Sequence, residues 1–75
     1  MKHERIEMNP AVMVGKPVIR GTRIPVDMLL RKLGAGMSYE EILEDHPHIT
    51  ADDIRAAQAF AADYISNDQL IFEQT

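Results

Sequence analysis

Apolar and polar positions follow two different rhythms along this chain, and the change falls at Pro25. Before it, Ile6 and Met8 are flanked by polar residues and Val18-Ile19 is a β-branched pair. Alternation and β-branching predict short strands there. Asn9-Pro10 and Gly15-Lys16-Pro17 lie between them as turn sequences. Residues 1–25 therefore read as a β arm or hairpin, too slight to be stable alone. After Pro25 the period is helical. Val26, Leu29, Leu30 and Leu33 recur at i, i+3, i+4 and i+7, predicting a helix over 26–34 that Gly34 and Gly36 close. Ser38-Tyr39-Glu40-Glu41 is a capping box flanked by Met37 and Ile42 as a hydrophobic staple. Thr50-Ala51-Asp52-Asp53 repeats the device with Ile49 and Ile54. Two further helices are thus expected, from 39 to about 46 before Pro47, and from 51 to about 65 with Asn67 as a candidate cap. Ile54, Ala57, Ala61, Tyr64 and Ile65 share a face of the last one, whose many alanines permit close helix approach. The expected fold is mainly α: a three-helix, helix-turn-helix-like bundle over 26–66, a β arm before it, and an apolar and acidic tail over 67–75.

The chain has 75 residues, which fits one domain. For that length the scaling rules put roughly 62% of the unfolded surface out of water. The gain from burial then roughly matches the loss of chain entropy, so a second subunit, a homodimer, is expected to add buried area. Cysteine is absent, which excludes a disulfide scaffold, a Cys-based zinc site and a thiol nucleophile. No apolar run is long enough to span a membrane and no signal-peptide pattern follows Met1, so a cytoplasmic protein is expected. Net charge is −4, which by itself argues against nucleic acid. Its distribution changes that argument. Residues 1–23 carry Lys2, Arg5, Lys16, Arg20 and Arg23 against Glu4 and Glu7, a net +3. Residues 24–75 carry Arg31, Lys32 and Arg55 against ten acids, a net −7.

The basic arm is the first candidate for chemistry. Lys16, Arg20 and Arg23, with Lys2 and Arg5, supply the donors that phosphate contacts require. The alternative is internal pairing of Arg20 and Arg23 with Asp27 or Glu44. Recognition by the third helix is disfavoured, because its first turn carries Asp52 and Asp53 where a groove-reading helix would meet phosphate. These acids suit the helix dipole instead. Glu40, Glu41, Glu44 and Asp45 read as a solvated face, or as a docking surface for a basic partner. His46-Pro47-His48 does not make a metal pair, since residues either side of a proline diverge and no soft third ligand exists; no metal or cofactor is expected. Neither Ser38 nor Ser66 belongs to a nucleophile motif, and Gly15-Lys16-Pro17 is too short for a phosphate-binding loop, so no enzyme is expected. Leu70, Ile71 and Phe72 form an apolar triplet between Asp68 and Glu73. It either packs back on the bundle or across a dimer, or binds a partner's groove.

The order and spacing of several motifs resemble the bacterial family called domain of unknown function 433. They are Asn9-Pro10; Gly15-Lys16-Pro17-Val18-Ile19-Arg20-Gly21-Thr22-Arg23-Ile24-Pro25-Val26; Gly36-Met37-Ser38; Glu41-Ile42-Leu43; His46-Pro47; Ile49-Thr50; and Asp53-Ile54. The resemblance implies a homeodomain-like helical fold, dimers, and genes encoded beside small PIN-like nucleases. It thereby implies a non-enzymatic antitoxin that binds and inhibits a PIN-like ribonuclease toxin. Arg20 or Arg23 would enter the acidic magnesium site of the nuclease, and Leu70-Ile71-Phe72 would anchor the complex. Lys16, Arg20 and Arg23 would serve promoter DNA if the protein also represses its own gene. The alternative is a stand-alone DNA-binding transcriptional regulator with no toxin partner.

Overall fold

Proline and glycine punctuation shapes the arm as much as strand propensity does. The protein is described here by a computed structural model over residues 3–11 and 13–67, leaving the side chains of Met13 and Asn67 aside. Strand β1 (Ile6–Glu7) pairs antiparallel with β2 (Val18–Ile19), Ile6 opposite Ile19 and Glu7 opposite Val18. Met8 does not extend the strand, contrary to the alternation. Asn9 begins a side-chain turn there, accepting from the Ala11 amide at 2.9 Å, and Pro10 has no amide for a ladder. A 3-10 turn at Met13–Gly15 holds Val14 in the left-handed region at φ 57, ψ 38. Val18 also bridges Pro25, and the Ile19 amide donates to Ile24 O at 3.0 Å. Residues 18–25 therefore make a second small hairpin with Arg20-Gly21-Thr22-Arg23 at its tip. Gly21, at φ +80, supplies the left-handed residue of that tip. The Thr22 hydroxyl closes it by donating to Ile19 O at 2.7 Å.

The three helices begin for three different local reasons. Helix α1 (Val26–Gly34) follows an extended Pro25 that offers no side-chain cap. Its first amide, on Val26, donates to Pro17 O at 2.9 Å, so the arm caps the helix. Helix α2 (Tyr39–Asp45) starts on a complete capping box: the Glu41 amide donates to Ser38 Oγ at 3.1 Å, and the Ser38 amide to Glu41 Oε1 at 2.8 Å. Helix α3 (Ala51–Asn67) starts on the same reciprocal pair between Thr50 and Asp53, at 3.2 and 3.0 Å. It runs through Asn67, two residues beyond the expected end at 65, so Asn67 belongs to the helix instead of capping it.

Every element contributes to one core. Ile6 and Ile19 come from the strands, Val26 and Leu29 from α1, Ile42 from α2, and Ile54 and Ala57 from α3, with Ile49 on the connection between the last two helices. Both staple pairs place a residue in this core, Ile42 for α2 and Ile49 with Ile54 for α3. The apolar face of α3 does not stay buried to its end. Tyr64 and Ile65 are 55% and 53% exposed. The cause is length: α3 has 17 residues against 9 and 7 in α1 and α2, or about 25 Å against about 14 and 10 Å at 1.5 Å per residue. Its last turns outrun the layer that would cover them.

Candidate functional site

Of the arm's basic residues, the described ones (Arg5, Lys16, Arg20 and Arg23) do not form a single cluster; folding divides them among separate tasks. Arg20 lies across the β1 edge, where its guanidinium donates to the carbonyl oxygens of Glu4 (from Nε) and of Ile6 (from Nη2, 3.3 Å). It pairs with neither Asp27 nor Glu44, the carboxylates offered by the alternative of internal pairing. Lys16 is the residue that meets Asp27, at 3.3 Å. Arg5 reaches 48 residues along the chain to Asp53, with Nη1 3.0 Å from Oδ1, and lies 3.9 Å from Asp52. Arg23 is exposed and has no ion pair or hydrogen bond among the described residues. Lys2, Leu70, Ile71 and Phe72 lie outside the described residues.

Arg20 and Arg23 are brought together, and Lys16 is left out. Both arginines line an open recess of about 790 Å³ with Gly21, Thr22, Ile24, His48 and Glu7. The tip hairpin sets their spacing, and the core residue Ile49 holds His48 at the wall. Glu7 also enters, accepting from the Gly21 amide at 3.4 Å. The recess thus offers one anchored guanidinium, one unpaired guanidinium and an imidazole against a single carboxylate. A planar anion, carboxylate or phosphate, suits the fork of donors on Arg23. His48 was not legible as part of this group, because it lies 25 residues from Arg23 in sequence. No local sequence signal ties it to the arm.

The first turn of α3 has different electrostatics. A hydrogen bond from the Arg55 guanidinium, and its charge, hold the Asp52 carboxyl below the ordinary value of 3.8, with a smaller contribution from Arg5. Asp52 is exposed and ionised at neutral pH, and Asp53 stands beside it, 8% exposed. Such an end repels phosphate. Among the described residues no three His, Asp or Glu side chains are grouped to hold a metal ion. The Ser38 hydroxyl is engaged in the α2 cap. No helix among them is long and apolar enough to cross a membrane.

Fold and recess together define a small three-helix protein with a basic, turn-borne recess on its β arm. A model of the family described as protein of unknown function (DUF433) matches residues 6–61, and the chain belongs to that family. The uncharacterized protein y4eO of Sinorhizobium fredii is 40% identical over 58 residues, 77% of this chain but 26% of that protein. An uncharacterized protein of Archaeoglobus fulgidus is 64% identical over 28 residues, 37% of this chain and 78% of that protein. The crystal structure of a DUF433 member from Anabaena variabilis matches with a TM-score of 0.73 and 35% identity, over 87% of this chain and 61% of that one. The chain therefore spans about a quarter of the Sinorhizobium protein and under two thirds of the Anabaena protein.

Proposed function

We propose that this chain is the non-enzymatic, antitoxin-like partner of a PIN-like ribonuclease and inhibits it through the recess at the arm tip. The observation that carries the reading is Arg23. It is an exposed guanidinium without a partner among the described residues, on a turn braced by three hydrogen bonds: Thr22 N and Thr22 Oγ1 to Ile19 O at 2.9 and 2.7 Å, and Ile24 N to Thr22 Oγ1 at 3.0 Å. A rigid turn presents a cation with little ordering entropy left to lose on binding. The carboxylates that hold magnesium in such a nuclease are a matching target, and an inserted arginine displaces the ion or blocks the phosphate of the RNA. Arg20 has the supporting role, since its hydrogen bonds to β1 fix the tip. The resemblance to a family encoded beside small PIN-like nucleases supplies the identity of the partner; the recess supplies its chemistry.

Inhibition of RNA cleavage tests this directly. The nuclease encoded next to this gene is titrated with the chain, and cleavage falls to background at one chain per active site. Arg23→Glu abolishes inhibition and keeps the helical circular dichroism, whereas Lys16→Glu inhibits as before. Equal inhibition by wild type and Arg23→Glu removes the recess from the interface. A gene with no nuclease beside it removes the reading altogether.

Promoter binding is the second reading, favoured by the same donors because phosphate and carboxylate both suit Arg23. Arg20→Ala with Arg23→Ala should then lower the slope of log affinity against log salt by about one for each lost phosphate contact. An unchanged slope excludes the recess from DNA.

A further inference from the structure

Donors alone do not tell a partner's carboxylates from a phosphate backbone, since both accept from a guanidinium such as Arg23. The recess also holds one acid. Glu7 lies on β1 beside the core residue Ile6, and strand alternation turns its side chain away from the core into the recess. Its Oε1 accepts from the Gly21 amide at 3.4 Å, longer than a usual N–H···O bond. Among the described residues Glu7 forms no ion pair, although Arg20 and Arg23 line the same recess. A carboxylate with one long bond keeps most of its acceptor capacity. The backbone cannot withdraw it. The Arg20 amide donates to Arg5 O at 2.8 Å and the Arg20 guanidinium to the carbonyls of Glu4 and Ile6, so β1 and the tip hold together. The side chain can swing, but a rotamer change leaves its charge within a Debye length, about 8–10 Å, of the tip.

We infer that Glu7 is the specificity-determining residue of the recess: it turns away a DNA backbone and admits a protein carboxylate that has an N–H donor beside it. A DNA backbone carries acceptors and negative charge only. A phosphate seated on Arg23 brings its neighbours along the strand toward Glu7, and they can neither neutralise it nor donate to it. A folded protein surface can set a backbone amide, a lysine or an arginine next to its carboxylate. Arg23 and Glu7 are then both satisfied, so the ligand is a paired acceptor and donor. The inference rests on the reading of the recess as the interface with a nuclease, and it sets promoter DNA aside as the ligand.

Glu7→Gln tests it in the full chain, because glutamine keeps an acceptor for the Gly21 amide and removes the charge. A unit charge about 6 Å away in water changes affinity about threefold. Fluorescence anisotropy with a labelled duplex from upstream of the gene, at about 50 mM salt, should show Glu7→Gln binding about threefold tighter than wild type or better. Adding Arg23→Ala should abolish the gain, and raising the salt to about 200 mM should shrink it. Equal affinities, or no binding by either protein, would overturn the inference. Against the neighbouring nuclease the same variant should move the other way, with about threefold more chain needed for half inhibition. Inhibition that is unchanged or stronger would also overturn it. Should wild type fail to inhibit, the nuclease reading falls, and the duplex measurement alone decides the role of Glu7.

Discussion

Replacing Asp53 by alanine asks how the arm is held, because that carboxylate serves two purposes. Oδ2 accepts from the Thr50 amide at 3.0 Å and completes the α3 cap; Oδ1 accepts from Arg5 at 3.0 Å and ties the arm to the helix. Thr50 remains as the N-cap, and loss of the reciprocal bond from its amide costs about 1 kcal/mol. The ion pair is intermediate between surface and interior, with the Asp53 side chain 12% and the Arg5 side chain 51% exposed. A contribution of about 1 kcal/mol is appropriate for it, at the upper end for exposed pairs. Asp53→Ala should therefore lose about 2 kcal/mol, a fall of roughly 8–16 °C in Tm for a domain of this size. Urea denaturation followed by far-UV circular dichroism measures the loss. A double-mutant cycle with Arg5→Ala separates the two parts, with a coupling energy of about 1 kcal/mol expected. The coupling should shrink in high salt while the cap contribution persists. Asp53→Ala within about 0.5 kcal/mol of wild type, the range of an ordinary surface change, would refute the double role. A coupling of zero would refute the tether alone.

Three other outcomes follow from the same structure. Val14, 96% exposed with φ at 57°, should become more stable by about 1 kcal/mol as Val14→Asn, since asparagine tolerates the left-handed region that a β-branched residue resists; a lower Tm would contradict the strain. Arg20→Ala should destabilise by about 1 kcal/mol through two lost hydrogen bonds to carbonyls, whereas Lys16→Ala, losing an exposed pair, should stay within about 0.5 kcal/mol. Equal effects in chemical denaturation would show that Arg20 does not brace the arm. The Asp52 carboxyl is held below 3.8 in the folded chain, so its pairing with Arg55 stabilises above that pH and is lost as pH falls through the lower folded value. Arg55→Ala should flatten that part of the acid limb of stability against pH, and parallel limbs would disprove the linkage.

The helices were legible because their signals are local. Ser38 with Glu41, and Thr50 with Asp53, are reciprocal pairs three residues apart, and both form as the sequence predicts. The stripe from Val26 to Leu33 needed no tertiary information, and Pro25 marked its start. Residues with one local and one distant role were half read. Asp53 was legible as a cap, but its bond to Arg5 depends on the arm crossing α3. Arg20 was legible as a cation, but nothing in its neighbourhood foretold that it would turn onto the carbonyls of Glu4 and Ile6. Periodicity assigned Tyr64 and Ile65 to a buried face because it counts faces of a helix and is blind to where the neighbouring helices stop. The recess was half anticipated. Arg20 and Arg23 are three residues apart on one turn, whereas Lys16 was grouped with them by charge alone and folding sends it to Asp27.

The attachments of the arm also bear on how the protein is made. Helices α1 and α2 can form from contacts within a few residues, but the arm is tied to positions 48 and 60 residues later, Arg5 to Asp53 and His3 to Asp63. During synthesis the arm emerges before its anchorage. At about 5–20 residues per second, it waits several seconds with Ile6 and Ile19 exposed before α3 can receive them. Two-residue strands offer little edge for pairing with another chain in that interval. An arm this short suits a chain in which α3 must follow before the arm is protected.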